Sequence, residues 1–256
     1  MRMLMLSALL LISATGEVLA AKAGTVTLLT GRGTASTLDG AIRALRKGDT
    51  VNSGEVINSG ANSYVNLKFK DGSFILLRPN SRFQVEEFEY DGEDLSNTKG
   101  AVPPKDSAAS TPESGRETSR RSQASTTGRA FFRLLKGGFR AVTGLVGRAD
   151  RNQYRVATPV ATIGIRGTDY VVVLVDPAIA ADPVLAASLP GGIGAEGGVV
   201  VGVINGGVFV QNSVGQTADI GTDQYLVTLP DGTQVELPYQ PRFLRVDPIP
   251  NPESCE

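Results

Sequence analysis

Tyr64-Val-Asn-Leu-Lys-Phe-Lys-Asp-Gly-Ser-Phe-Ile-Leu-Leu77 is the stretch from which the fold class is read. Val65, Leu67 and Phe69 alternate with Asn66, Lys68 and Lys70, the two-residue period of a strand with one buried face. Asp71-Gly72 follows, a pair that tolerates the positive φ of a tight hairpin. A two-residue turn there predicts Phe69 opposite Phe74 and Leu67 opposite Leu76. In that register Ile75 and Leu77 face the other way, so the second side of the hairpin is partly covered as well.

Working outward, Arg82 to Tyr90 predicts a further strand whose apolar parity changes: Phe83 and Val85 share one face, Phe88 and Tyr90 the other. A bulge near Glu86-Glu87 accounts for the change. Phe131-Phe-Arg-Leu-Leu135 is either a short strand or a helical turn, and its periodicity does not separate the two. Tyr154 to Pro159 and Tyr170 to Val175 predict strands, the second apolar enough to be buried on both faces. Asp182-Pro183 with Gly191 downstream punctuates a helix of two turns or fewer. Val199–Ile204 and Val208–Gln211 predict a hairpin around Asn205-Gly206. At Asp231-Gly232 a two-residue loop would set Leu229 against Gln234, so a longer loop is expected there.

The fold expected is all-β: a compact antiparallel β-sandwich or β-roll of about twelve short strands, with at most one or two short helices. Residues 1–23 form a segment of their own, with Arg2, an apolar run from Leu4 to Ile12, and small residues at Val18-Leu19-Ala20 and Ala21-Lys22-Ala23. That is the pattern of an export signal, with cleavage near Ala20 or Ala23. The run is short of the ~20 residues a spanning helix needs, so the processed chain is expected in the periplasm or secreted, and not membrane-spanning. Residues 24–90 form the first part of the β-domain. Residues 91–128 are rich in Ser, Thr, Pro, Gly and charge, and are expected to be a disordered insertion. Residues 129–237 form the second part, and 238–256 an extended tail rich in proline.

Composition narrows the chemistry. The chain has 256 residues, no histidine and one cysteine, Cys255. Histidine-based triads, dyads and metal sites are therefore excluded. Cys255 is either an inert thiol or an intermolecular cross-link. A net charge of -1 gives no drive toward nucleic acid. Charge is nonetheless uneven: Arg116–Arg155 holds ten basic and two acidic residues, Gly167–Glu256 two basic and eleven acidic. The two segments either balance each other or the basic one meets an acidic partner.

Several blocks resemble the FecR domain: Leu45-Arg-Lys-Gly-Asp-Thr-Val51, Ser59-Gly-Ala-Asn-Ser63, and Val65 to Ser81 with Phe-Lys-Asp-Gly-Ser and Leu-Arg-Pro-Asn-Ser. So does Val156-Ala-Thr-Pro-Val-Ala-Thr-Ile-Gly-Ile-Arg-Gly-Thr-Asp-Tyr-Val171. The resemblance covers about residues 24–175, interrupted by the insertion. It implies an all-β extracytoplasmic domain that senses or relays a signal, best known in ferric-citrate-type transport regulation. With an export signal in place of a cytoplasmic segment, a stand-alone extracytoplasmic module is expected. It would be non-catalytic, would use no cofactor, and would engage an envelope protein or glycan. The rival readings are a structural or assembly component of the envelope and a carboxylate-dependent glycan hydrolase.

The residues singled out as family motif or partner contact are Asp71, Gly72, Thr158, Pro159, Gly164, Arg166, Gly167 and Thr168. Arg166 either pairs with an interior carboxylate such as Asp169 and fixes a turn, or holds an anionic ligand group. Gly192-Ile-Gly-Ala-Glu-Gly197 matches G-x-G-x-x-G, but no helix is expected after it, which argues against a dinucleotide site. Glu86, Glu87, Glu89, Asp91, Glu93 and Asp94 form either a solvated edge or the carboxylates of a glycosidase; no spaced loop for calcium is present.

Overall fold

The computed structural model describes residues 21–37, 39–97, 128–189 and 194–245. The export segment up to position 20, the insertion over 98–127, Gly191 and Gly192, and the tail beyond Arg245 with Cys255 lie outside the described residues.

Eighteen strands form two nine-stranded sheets. Sheet 1 runs β18 (Gln234–Leu237), β17 (Tyr225–Thr228), β14 (Val199–Asn205), β13 (Asp169–Leu174), β10 (Gly138–Val142), β7 (Phe74–Leu77), β6 (Tyr64–Phe69), β1 (Lys22–Thr30), β4 (Thr50–Asn52). Sheet 2 runs β16 (Thr217–Gly221), β15 (Gly207–Asn212), β12 (Ala161–Ile165), β11 (Tyr154–Ala157), β9 (Gly128–Lys136), β8 (Arg82–Tyr90), β5 (Val56–Ser59), β2 (Gly33–Ser36), β3 (Ile42–Ala44). Phe131-Phe-Arg-Leu-Leu135 is thus strand, within β9. Every pairing is antiparallel except β9 with β11. There the chain leaves for sheet 1 as β10 and returns through the helix α1 (Leu145–Ala149). Two more short helices, α2 (Pro177–Ala180) and α3 (Pro183–Ser188), make one more than expected. Asp182 caps α3 as its sequence implies, accepting from the Val184 and Leu185 amides.

The chain changes sheet again and again, and each short crossing contains one residue at positive φ. Gly31 lies between β1 and β2, Gly48 between β3 and β4, Gly54 between β4 and β5, and Asn62 between β5 and β6. Asn80, Gly137, Gly167, Gly206 and Asp223 serve the later crossings. This corrects one expectation: Val199–Ile204 and Val208–Gln211 do not pair with each other. β14 stays in sheet 1 between β13 and β17, while β15 joins sheet 2 between β12 and β16. Asn205-Gly206 is a corner between layers. A Cβ on Gly206 would stand 2.4 Å from the Gly167 carbonyl, in the neighbouring corner.

The hairpin at Asp71 also differs from expectation, by one residue. Leu67 pairs with Ile75 and Lys68 with Phe74, and the Phe69 amide donates to the Ser73 carbonyl. The loop is Lys70-Asp71-Gly72, three residues with Gly72 at φ 80°, a type I turn closed by a glycine bulge. Ile75 and Leu77 therefore join Val65, Leu67 and Phe69 in the core, and Phe74 and Leu76 face outward. The Asp231-Gly232 loop has the same geometry, with Leu229 bonded to Thr233, and is longer than two residues as expected. In both loops the aspartate accepts from the amide and hydroxyl two residues on, at Ser73 and Thr233.

Between the sheets lies one aromatic core. Phe69, Phe139 and Tyr170 of sheet 1 meet Phe83, Phe88, Phe132 and Tyr154 of sheet 2. The Phe132 ring centroid lies 5.1 Å from Phe69, 5.4 Å from Phe83 and 5.6 Å from Tyr154, spacings at which aromatic pairs attract beyond area burial alone. The bulge expected near Glu86 is present, with the β8–β9 register shifting between Val85 and Glu87, and it returns Phe88 and Tyr90 to the core. The Tyr154 and Tyr170 hydroxyls hydrogen-bond at 2.8 Å across the interior, and burial pushes both phenols upward.

Two boundaries move. The segment after Tyr90, expected as part of the insertion, packs against the fold as far as residue 97. Asp94 pairs with Lys22 at 2.8 Å, the Leu95 amide donates to the Lys70 carbonyl, and buried Ser96 lies 3.3 Å from the Thr25 hydroxyl. Composition misleads there because these residues are held by polar contacts. The tail after Leu237 is not extended throughout: Arg242–Leu244 form a 3₁₀ turn that buries Leu244.

Asp71 is almost wholly buried at its hairpin tip. Its Oδ1 accepts from the Ser73 amide and hydroxyl, its Oδ2 from the Val146 amide at 3.3 Å, and its carbonyl from the Leu145 amide. The turn thereby holds the start of α1. Burial pushes the Asp71 carboxyl above the usual carboxylate range, outweighing those hydrogen bonds.

Gly206→Ala combines positive φ with the carbonyl contact, whereas Gly215, at φ 85°, has open space where its Cβ would stand. Gly215→Ala should cost roughly 1–3 kcal/mol of backbone strain, and Gly206→Ala clearly more. Equal costs in urea unfolding would show that the corner contact is not limiting. Asp71 binds its proton more tightly folded than unfolded, so its stabilisation is full below the unfolded-state pKa and is lost as pH rises through the folded-state value. The stability of the native protein relative to Asp71→Asn should therefore be greater at about pH 4 than at about pH 8. A pH-independent difference would contradict a raised carboxyl.

Candidate interaction surface

The residues singled out from sequence do not converge on one pocket. Thr158 and Pro159 turn β11 into β12, with the Thr158 hydroxyl accepting from the Ala161 amide at 3.0 Å and donating to its carbonyl at 2.8 Å. Gly164 lies under Phe209 of β15: a Cβ there would meet the ring's Cζ at 1.9 Å. It is a glycine paired across strands with an aromatic ring that covers it. Gly167 and Thr168 form the β12–β13 corner. The Thr168 amide donates to the Thr143 hydroxyl at 2.7 Å, and the Thr168 hydroxyl donates to the Gly207 carbonyl. Asp71 and Gly72 form the hairpin tip described above. Thr158 and Pro159 lie at one end of β12, Arg166 to Thr168 at the other.

Arg166 does not pair with Asp169. Its guanidinium bonds Asp219 of β16 at 2.8 Å on the exposed side of sheet 2, while Asp169 is held by both Nε and Nη2 of Arg140. Tyr170 next door points into the core, so Asp169 faces the outer side of sheet 1, away from Arg166.

The two sheets treat their outer faces differently. On sheet 1, Val171, Val173, Val200 and Val227 belong to a second apolar cluster closed by Leu185 of α3 and by Leu244. Farther along, Thr25, Asn66, Lys68 and Leu76 are buried as well, with the Lys68 ammonium 5.2 Å from the Phe74 ring centroid. Sheet 2 carries no such roof among the described residues. One register line crosses it from Glu87 through Phe131, Arg155, Gly164 and Phe209 to Asp219. Along it the Arg155 guanidinium sits 4.0 Å from the Phe131 ring centroid, and the Phe209 ring lies against Gly164. Arg129–Glu87, Arg133–Glu86 and Arg166–Asp219 ion pairs surround the line. The result is a broad face of exposed guanidinium groups with two half-buried aromatic rings, Phe131 and Phe209, set among them.

This surface absorbs part of the basic segment. Arg129 and Arg133 are balanced by Glu87 and Glu86 of β8, and among the described residues of that segment Arg140 reaches into the later acidic segment, at Asp169. Glu86 and Glu87 are thus tied to arginines on an open sheet face. A glycosidase acid needs a carboxyl shielded from water, and this arrangement does not supply one.

A cleft of about 480 Å³ opens where the β7–β8 and β9–β10 corners meet the C-terminal 3₁₀ turn, lined by Tyr64, Pro79, Leu135 and Phe243 among others. Two of its polar side chains are already engaged: Arg78 donates to the Phe243 carbonyl, and Asp176 caps α2 through the Ile179 amide. After Gly197 the chain enters β14, not a helix, so the glycine-rich run lacks the context of a dinucleotide site. Among the described residues no group of three or more Asp, Glu or Cys side chains is placed to hold a metal ion, and no helix is long and apolar enough to cross a membrane.

Neither the outward Phe131–Arg155 stack nor Phe209 was identified from sequence. A strand assignment for 128–136 would have placed Phe131 and Arg133 opposite Phe132 and Leu134. The Gly164–Phe209 pairing spans 45 residues and leaves no local trace.

No protein-family model and no curated protein matches the chain. Among solved structures, two crystal structures of a putative anti-sigma factor from Parabacteroides distasonis are distantly similar. The likeness has 10% sequence identity and a TM-score of 0.43, over 72% of this chain and 60% of that protein. The chain thus spans less than two thirds of the length of the protein it resembles.

Proposed function

We propose that this chain is an exported, non-catalytic binding or sensing module of the FecR type, which engages an envelope protein or glycan through the outer face of sheet 2. The observation that carries this is the asymmetry between the sheets. One outer face is roofed by apolar packing. The other presents Phe131, Arg155 and Phe209 in a line, flanked by arginine–carboxylate pairs. Aromatic and arginine side chains are the types that dominate recognition energetics, and here the rings are half-buried beneath exposed guanidinium groups. Exposed ion pairs contribute about 0–1 kcal/mol each to stability, so stability alone gives little reason to keep them.

The FecR reading is supported by the motif blocks around Asp71 and Thr168. The signalling role is what the resemblance of those blocks to the FecR domain implies. Export is supported by the amino-terminal pattern of charge, apolar run and small residues.

The test is a double substitution, Phe131→Ser with Arg155→Glu, which leaves the core untouched. Wild-type and variant proteins would be presented to the same envelope extract, with captured proteins and glycans identified. The variant should lose a partner that the wild type retains, with its melting temperature within a few degrees of the wild type. Identical capture profiles would show that this face is not the recognition surface.

A further inference from the structure

We propose that the mature chain begins at Ala21, through hydrolysis of the Ala20–Ala21 peptide bond. This rests on the export reading above and chooses between its two cleavage positions. Water adds across the amide, leaving a carboxylate on Ala20 and an α-amino group on Ala21.

The sequence offers small residues at either position: Val18 and Ala20 before the first bond, Ala21 and Ala23 before the second. The fold distinguishes them, because residues 21–23 belong to it. The Ala21 carbonyl accepts from the Ser53 amide at 2.9 Å, and the Ala23 carbonyl from the Lys70 amide at 3.0 Å. Lys22 opens β1 opposite Asn52 and pairs with Asp94 at 2.8 Å. Burial works against the charged Asp94, but hydrogen bonds from Lys22 and Ser96 bring its carboxyl down to about 2, so Asp94 is ionised throughout the neutral range. Ala23 is fully buried in the main core.

Cleavage after Ala23 would remove all of these contacts. It would also place the new α-ammonium on Gly24, which is buried between β4 and β6. A Cβ on that residue would already stand 2.5 Å from the Lys68 carbonyl. A charged terminus there would lose its hydration, and Asp94 would lose the Lys22 ammonium that pairs with it. Ala21, by contrast, is exposed, and an ammonium on it stays in water.

The experiment is expression of the full precursor in an exporting bacterial host, followed by fractionation, intact-mass measurement and amino-terminal sequencing. The result expected is an extracytoplasmic chain starting at Ala21, with Ala20→Gln abolishing that product. A chain starting at Gly24, from the wild type or in good yield from Ala20→Gln, would overturn the cleavage assignment and leave export standing. Unprocessed wild-type protein in the cytosol would remove the export reading, and the cleavage with it.

Discussion

A backbone that crosses from one sheet to the other at most of its connections has to break its hydrogen-bond ladder at each corner. Beside the exposed turning residues several peptide groups are buried, as at Ser81, Gly138 and Thr168, and an unpaired one costs roughly 1–3 kcal/mol. The structure answers with hydroxyl side chains. The Ser81 hydroxyl accepts from the Gly138 amide and donates to the Gly138 carbonyl, joining two adjacent corners. Ser59 accepts from the Ser81 amide, Ser63 from the Arg32 amide, and Thr143 from the Thr168 amide. Corner is thus stitched to corner along both margins of the sandwich. The aromatic core between the sheets can form only if these margins hold the layers in register.

The segments that resemble the FecR domain map onto this requirement. Leu45–Val51 spans the β3–β4 crossing with Gly48, and Ser59–Ser63 is the β5–β6 crossing. Leu-Arg-Pro-Asn-Ser81 is the β7–β8 crossing, and Ile-Arg-Gly-Thr168 the β12–β13 crossing. Phe-Lys-Asp-Gly-Ser73 is the hairpin whose buried aspartate also holds α1. These residue types are dictated by turning a chain between layers: positive φ, a short hydroxyl, a carboxylate that closes a three-residue loop. Such motifs specify a fold. They say little about a ligand, and this is why the residues singled out from them do not assemble into a pocket.

The same distinction explains what the sequence disclosed. Two-residue alternation gave the strands around Tyr64 and Arg82, the parity change gave the bulge at Glu86, and Asp182-Pro183 gave the start of α3, because each depends on neighbours within a few positions. Asn205-Gly206 announced a residue at positive φ. A hairpin and a corner both need one, so local sequence could not say whether β14 and β15 pair or part. At Asp71-Gly72 the following Ser73 favours the three-residue loop, and the repeat of that pattern at Asp231-Gly232-Thr233 was the available clue to the register. Arg166 was beyond reach: its partner Asp219 is 53 positions away and is brought near only by β15 lying between β12 and β16.

The separation of fold from recognition has a consequence for how such a module can change. On the outer face of sheet 2 an exposed cation–π contact is worth about 0.5–1 kcal/mol, and the exposed arginine–carboxylate pairs no more than that. Arg155, Arg129 and Arg133 can therefore be exchanged at small cost in stability. Gly164 is the exception, because the Phe209 ring occupies the space of its absent Cβ and any side chain there would displace the ring or open the β12–β15 ladder. Phe209 is the point where the outer face of sheet 2 is tied to the scaffold, while the side chains around it can vary without loosening the corners.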